Sequence, residues 1–169
     1  MTLLKSYYQL CKPNVVYMML ICAFVGMLLA EQTVSSYSYL FIALTGIALC
    51  AASAAAINQV VDREADASMT RTDQRPLPKG DLSVMHASIF AFVIGLLGSM
   101  ILYLYVNTLT MILTIGSLIG YAFIYTVYLK RATPQNIVIG GLAGAAPPLL
   151  GWSSAVSYTH LRAHETTLD

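Results

Sequence analysis

Charged residues are scarce in this sequence. Asp, Glu, Lys and Arg make up 10% of the 169 residues, whereas a soluble globular domain carries about 25%. Hydrophobic residues account for 57% of the chain, and its mean hydropathy is +0.69. This shortage of charge excludes an ordinary soluble domain and indicates an all-α integral membrane protein in a lipid bilayer.

Cysteine is also rare. Cys11, Cys22 and Cys50 are isolated and odd in number, which fits neither a zinc site nor a disulfide framework. We therefore expect small buried hydrophobic side chains at these positions. No cleavable signal peptide is expected, because no small-residue cleavage site and polar mature domain follow the first apolar run. The net charge of +1 is uninformative as a total, and no nucleic-acid partner is expected.

Long apolar runs dominate what is present. About 20 residues span a bilayer as a helix, and five runs approach or exceed that length. They are Val15–Ala30, Ser38–Val61, Val84–Val106, Leu109–Leu129 and Ile137–Ala155. The sequence therefore predicts about five transmembrane helices.

The basic residues predict how these helices are oriented. Apart from Arg162, every Lys and Arg lies before the first run, after the second or after the fourth. They are Lys5, Lys12, Arg63, Arg71, Arg75, Lys79, Lys130 and Arg131. Because basic loops stay on the inner side, the amino terminus and both basic loops are predicted to be cytoplasmic.

Three polar residues stand four apart at the end of the second run. Asn58, Asp62 and Asp66 would share one helix face, and acids directed one way at a membrane helix end indicate a functional site. One amide and two carboxylates suit Mg²⁺, which is often completed by water and substrate phosphates. The alternative is that the two acids only solvate the helix end.

A basic loop follows this acidic row. Arg71, Arg75 and Lys79 stand four residues apart, with Pro76 and Pro78 between the last two, and the prolines should make the loop stiff. Arginine can hold phosphate oxygens in a bidentate manner, although these cations could instead serve topology and bind anionic lipid. Lys130 and Arg131 end the fourth run on the same predicted side, where they could join the site or act as interfacial anchors.

Small residues mark the second and fifth runs. The run from Cys50 to Ala56 should let helix backbones approach closely. Pro147 and Pro148 should break or kink the fifth helix, and irregular backbone at membrane depth predicts that this helix faces inward.

The last residues are of a different kind. Residues 154–169 are polar and unpatterned, and they resemble translated adapter or vector read-through. We interpret residues 1–153 as the native part and the tail as non-native, with the native chain cut short. His160 and His164 have a metal-like spacing there, which we interpret as coincidence because no third ligand is evident.

Four segments together resemble a known family. They are NQVVDREAD at 58–66, MTRTDQRPLPKG at 69–80, YTVYLKRATPQN at 125–136 and IGGLAGAAPP at 139–148, followed by Gly151 and Trp152. The first segment is similar to a motif general to UbiA-type intramembrane prenyltransferases. The second and third are more specific to the branch that farnesylates haem, and the likeness covers nearly everything from Cys11 to Trp152.

The resemblance implies a nine-helix bundle in a bacterial-type inner membrane, with a central cavity open to the cytoplasm. It implies transfer of a farnesyl group from farnesyl diphosphate to the vinyl group of haem B, with water added, giving haem O for terminal oxidases. Components of terminal oxidase assembly could be further contacts. Asn58, Asp62 and Asp66 would hold Mg²⁺, and Asp62, Asp66 and Lys130 would be catalytic. Diphosphate would contact a set of basic residues, namely Arg71, Arg75, Lys79, Lys130 and Arg131.

The sequence departs from the family pattern in its length. About five of nine helices are present, and a second Asp-rich motif is absent, so the 169 residues alone are predicted not to make haem O. Two alternatives remain: a prenyltransferase acting on an aromatic acceptor such as hydroxybenzoate, and a small transporter or binding protein. The transporter predicts carboxylates near the membrane midplane.

Overall fold

A computed structural model describes residues 3–30, 36–122, 126 and 144–156. Five helices have defined bounds: α1 Leu3–Leu10, α2 Pro13–Ala30, α3 Tyr37–Ala67, α4 Val84–Tyr105 and α5 Thr108–Ile119. Residues 144–156 are also helical. The described ranges contain helices and turns and no strand, as expected for an all-α protein.

Helices α2, α3 and α4 are each long and apolar enough to cross a membrane, and they overlap the first three predicted spans. The fourth predicted span begins as α5, and the fifth is described only from residue 144, so their full extents lie outside the described residues. The short helix α1 was not predicted. The chain is a multi-pass integral membrane protein.

Helices α3 and α4 pack with their backbones close together, as the run of small residues predicts. A Cβ atom on Gly98 would lie 2.9 Å from the carbonyl oxygen of Gly46 and 3.0 Å from the backbone nitrogen of Cys50. The Ser53 hydroxyl, buried at the same interface, donates to the Ala91 carbonyl at 2.7 Å. Contact between backbones therefore replaces large side chains here.

The helical segment 144–156 packs against α2 in the same way. Cβ atoms built on Gly26 and Gly151 would overlap the backbones of Pro148 and Ala23, respectively. This contact confirms that the segment faces inward. The residues on both sides of the Pro147-Pro148 pair are helical, so the pair does not break the helix.

Residues 154–156 continue this helix, and the Tyr39 hydroxyl donates to the Ser154 carbonyl at 2.7 Å. The division at residue 153 stays a prediction. His160 and His164 lie outside the described residues.

The expectation for the cysteines holds at one position. All three thiols are free; Cys50 is buried, Cys11 is half-buried and Cys22 is exposed. The expectation is wrong for Cys22, because it lies on an outward face of α2. In a membrane helix that face meets lipid, where a weakly polar thiol needs no burial within the protein.

Candidate active site

The three polar residues four apart lie on one buried face of α3. Asn58, Asp62 and Asp66 are 4%, 4% and 6% exposed, whereas the Glu64 side chain, between the two acids in sequence, is 84% exposed. The prediction of a shared helix face is therefore confirmed, and the structure shows that this face is directed inward.

The row lies near the end of the helix and away from its middle. At 1.5 Å per residue, the 25 steps from Tyr37 to Asp62 extend about 37 Å, which exceeds the hydrocarbon thickness of about 30 Å. Asp66 lies in the last turn of α3, which ends at Ala67. Because the carboxyl end of a helix is negative, buried acids at this place need nearby cations.

Arg75 supplies one such cation. Its Nη1 donates to Oδ2 of Asp66 at 2.5 Å, and the Arg75 and Asp66 side chains are 31% and 8% exposed. The structure therefore brings the predicted acidic row and one arginine of the basic loop together.

The loop between α3 and α4 holds Arg75 in place. The Thr72 hydroxyl, which is buried, donates to the Asp66 carbonyl at 2.9 Å, and the backbone N–H of Arg75 donates to the Thr72 carbonyl at 3.1 Å. Pro76 and Leu77, which belong to the loop, have buried side chains. These contacts agree with the expected stiffness of the segment.

The remaining predicted cations are placed differently. Arg71 and Lys79 are exposed in the same loop, and among the described residues the structure records no ion pair for either. Lys130 and Arg131 lie outside the described residues. Their roles stay predictions.

Lys12, which was assigned only to topology, lies at the site. Its Nζ donates to Oδ1 of Asn58. Lys12 forms the corner between α1 and α2 with a φ of 49°, and it is the only non-glycine residue with positive φ in the part of the chain that the structure describes. This conformation costs roughly 1–2 kcal/mol for a residue with a Cβ. The one sequence signal for it was that Lys12 shares a predicted side with the basic loop.

Asn58 is oriented by its partners. Its Nδ2 donates to Oδ2 of Asp62 at 3.0 Å and to the Thr126 hydroxyl at 3.2 Å, which leaves Oδ1 for the Lys12 ammonium. Each amide atom thereby faces a group of the matching kind. The Thr126 hydroxyl in turn donates to the Tyr121 carbonyl at 2.8 Å, where residues 120–122 and 126 form π-type turns, which are frequent at functional sites.

Gln59 fixes the corner that contains Lys12. Its Nε2 donates to the carbonyls of Gln9 and Leu10 at 3.0 Å each, which lie in the last turn of α1, where carbonyls lack partners within the helix. Gln59 is 2% exposed. Sequence reasoning missed this role, because the bonds join residues about 50 positions apart.

An apolar cavity of about 280 Å³ adjoins the polar row. It lies between α2, α3, α5 and the segment 144–156, and Ile47, Ala54 and Leu118 are among its lining residues. Lys12 also lines it, so one residue joins the cavity to Asn58. An apolar cavity with one basic residue in its lining suits an amphiphile that has an anionic head and a hydrocarbon tail.

The residues fit a hard divalent cation. Asn58 and the two aspartates offer oxygen donors of the kind that Mg²⁺ prefers. The described residues contain no group of three or more His, Cys, Asp and Glu that could hold a metal. A bound Mg²⁺ would therefore need further oxygen ligands, such as water or phosphate, beyond this row.

Comparison with known proteins agrees with this arrangement. Residues 19–163 match the UbiA prenyltransferase family. The chain is 56% identical over 159 residues to protoheme IX farnesyltransferase 2 of Pseudoalteromonas atlantica, with 94% of this chain and 52% of that protein covered. It is 55% identical over 156 residues to protoheme IX farnesyltransferase of Shewanella oneidensis, with 92% and 52% covered. The chain thus spans about half the length of the curated relatives it matches.

Two solved structures share the fold. A digeranylgeranylglyceryl phosphate synthase superposes with a TM-score of 0.78 at 22% identity, with 89% of this chain and 53% of that one covered. A UbiA homolog from Archaeoglobus fulgidus bound to DMAPP and Mg²⁺ gives 0.71 at 19% identity, with 90% and 54% covered. Since the family match covers most of its length, this chain belongs to the UbiA prenyltransferase family.

Proposed function

We propose that the protein takes part in transfer of a farnesyl group from farnesyl diphosphate to the vinyl group of haem B, with addition of water, giving haem O. The observation that supports this best is the buried row of Asn58, Asp62 and Asp66, which meets Lys12 and Arg75 beside an apolar cavity. The acceptor is inferred from the names of the relatives, which are more than 50% identical to this chain.

The residues of the site have distinct roles in this proposal. Asn58, Asp62 and Asp66 would hold Mg²⁺, which when bound neutralises diphosphate charge and assists its departure. Arg75 would donate to diphosphate oxygens as the allylic C–O bond breaks and the leaving group takes the electron pair. Fixed donors aimed at developing charge lower the barrier, because they need no reorganisation. The apolar cavity would hold the isoprenoid tail away from water.

Four further basic residues are proposed to offset the negative charge of the diphosphate. Arg71 and Lys79 come from the same loop as Arg75, and Lys130 and Arg131 follow the fourth predicted span. We assign all four to the diphosphate, with Lys130 also catalytic, as the family resemblance implies. Because haem O would be used by terminal oxidases, we also propose contact with terminal oxidase assembly components.

The proposed location is a bacterial-type inner membrane, with the site at its cytoplasmic face. Lys12 and Arg75 both contact the acidic end of α3, so the basic amino-terminal segment and the basic loop share one end of the bundle. That end would be cytoplasmic, because basic segments are retained on the inner side.

The proposal is tested by supplying the part of the enzyme that the relatives have in addition. Residues 1–153 would be joined to the remaining half of the Pseudoalteromonas atlantica relative and assayed with haem B, farnesyl diphosphate and Mg²⁺. Haem O should form, and Asp62→Asn should lower its rate by about 100-fold or more, as loss of a key electrostatic group does.

Matched controls sharpen this test. Glu64→Gln, on the exposed face of the same helix, should leave the rate unchanged, and the 169 residues alone should yield no haem O. Prenylation of 4-hydroxybenzoate in place of haem B would support the aromatic-acceptor alternative and contradict the haem assignment.

A further inference from the structure

Lys12 combines an unfavourable backbone conformation with a contact at the proposed metal site. Its φ of 49° suits glycine or asparagine better than lysine, because a Cβ is crowded in that region. Residues held in such conformations cluster at ligand sites, where the surrounding structure imposes them. The position of the Lys12 ammonium therefore calls for a functional reason.

We propose that Lys12 is an internal counter-ion that occupies the metal ligand Asn58 until a diphosphate binds. In the structure, the ammonium donates to Oδ1 of Asn58. When the diphosphate enters, the ammonium transfers to a diphosphate oxygen and releases Oδ1 to the metal. This inference rests on the proposed function and adds an order of binding to it.

The surroundings of Lys12 favour this role over a chance contact. Gln59, the neighbour of Asn58, donates to two carbonyls at the end of α1 and so fixes the corner from which the Lys12 side chain extends. Asn58 is turned by Asp62 and Thr126 so that its oxygen faces the ammonium. Two adjacent residues of α3 therefore set the corner and the acceptor.

Repulsion between cations explains why the Lys12 ammonium should leave Asn58 when the metal binds there. An ammonium and a divalent cation on one amide oxygen would repel each other strongly at such short range. Arg75 donates to Oδ2 of Asp66 at 2.5 Å, so a second potential metal-ligand oxygen of the row is also occupied by a cation. Metal alone should consequently bind weakly, whereas metal and diphosphate should each strengthen the binding of the other, as linkage requires.

The experiment measures Mn²⁺ binding to the full 169-residue chain in lipid nanodiscs by electron paramagnetic resonance, with and without farnesyl diphosphate. Mn²⁺ is a suitable probe, because it favours the same oxygen ligands as Mg²⁺. Lys12→Met should strengthen binding of Mn²⁺ alone about fivefold or more and weaken binding of farnesyl diphosphate in the presence of Mn²⁺ about tenfold. Lys12→Arg, which keeps the charge, should stay near the wild type in both.

Two further variants guard against trivial outcomes. Lys5→Met removes an exposed charge from α1 and should change neither affinity. Lys12→Gly suits the positive φ, so it should fold well. Like Lys12→Met, it should strengthen binding of Mn²⁺ alone and weaken binding of farnesyl diphosphate in the presence of Mn²⁺. Shifts of both affinities in the same direction, or no shift in Mn²⁺ affinity, would overturn the counter-ion role.

Failure of the proposed function would look different. Absence of haem O from residues 1–153 joined to the remaining half of the Pseudoalteromonas atlantica relative would count against the prenyl-transfer assignment. The measurement with Mn²⁺ alone needs no substrate, so it still decides whether Lys12 competes for Asn58.

Discussion

Asp66 is a buried carboxylate in the last turn of α3, where the helix dipole is itself negative. Arg75 offsets that charge at 2.5 Å. Removal of one partner of such a pair leaves a desolvated charge, which costs more than the pair itself contributes. The Arg75 side chain is 31% exposed, so solvent reduces the effect.

We therefore expect Arg75→Met and Asp66→Asn each to lower the free energy of unfolding by about 1–3 kcal/mol. The double variant should lose less than the sum of the two. Thermal unfolding in detergent, followed by circular dichroism, measures all three. Arg71→Met, in the same loop but exposed, should stay within about 0.5 kcal/mol of the wild type. Strict additivity would show that the pair is not coupled.

At the residue scale, local spacing was informative and long-range contacts were not. The shared face of Asn58, Asp62 and Asp66 follows from helical periodicity, so the sequence alone predicted it. The contact of Lys12 with Asn58 joins residues 46 positions apart and depends on a left-handed corner. No local pattern indicates either feature, and Gln59 was missed for the same reason.

At the scale of elements, small residues set the spacing of α3 and α4. Gly98→Ala would place a Cβ 2.8 Å from Sγ of Cys50 and 2.9 Å from the Gly46 carbonyl oxygen. The helices would have to separate, at a cost of about 1–3 kcal/mol. Thermal unfolding in detergent should show the loss.

Gly116 offers a matched control for this substitution. No described atom lies within 4 Å of a Cβ built there, and Gly116 is inside α5. Gly116→Ala should thus be neutral or stabilising by up to about 1 kcal/mol, because alanine favours helices. Equal effects of the two substitutions would contradict the role of the α3–α4 contact.

The long elements were predictable because hydrophobic length is a strong signal in membranes. Helices α2, α3 and α4 agree with it, although α3 runs six residues beyond the predicted end at Val61. The apolar signal stops at Val61, but the helical spacing of Asn58, Asp62 and Asp66 already predicted that the helix continues beyond the apolar run. Helix α1 has eight residues, too few for a span, and its packing depends on tertiary contacts such as that of Gln59.

For the whole molecule, the distribution of basic residues predicted that the amino-terminal segment and the basic loop between α3 and α4 lie on the same side of the membrane. The contact between Lys12 and Asn58 and the pair of Arg75 and Asp66 agree with that. Packing of the segment 144–156 against α2 was predicted only as an inward-facing helix. The sequence did not indicate that α2 is the helix it packs against. Gly26 and Gly151 allow close backbone contact, but a glycine in the sequence does not identify the helix that it contacts.

Orientation in the membrane can be tested with single cysteines in a variant from which the three native thiols have been removed. Thr70→Cys lies in the basic loop and Thr108→Cys at the start of α5, and both sites are exposed. Helix α4, whose 22 residues extend about 33 Å, separates them across the bilayer. A membrane-impermeant maleimide should label Thr108→Cys in intact cells and Thr70→Cys only in inverted vesicles. The reverse pattern would put the acidic row of α3 on the outer face, where it could not meet a diphosphate supplied from the cytoplasm.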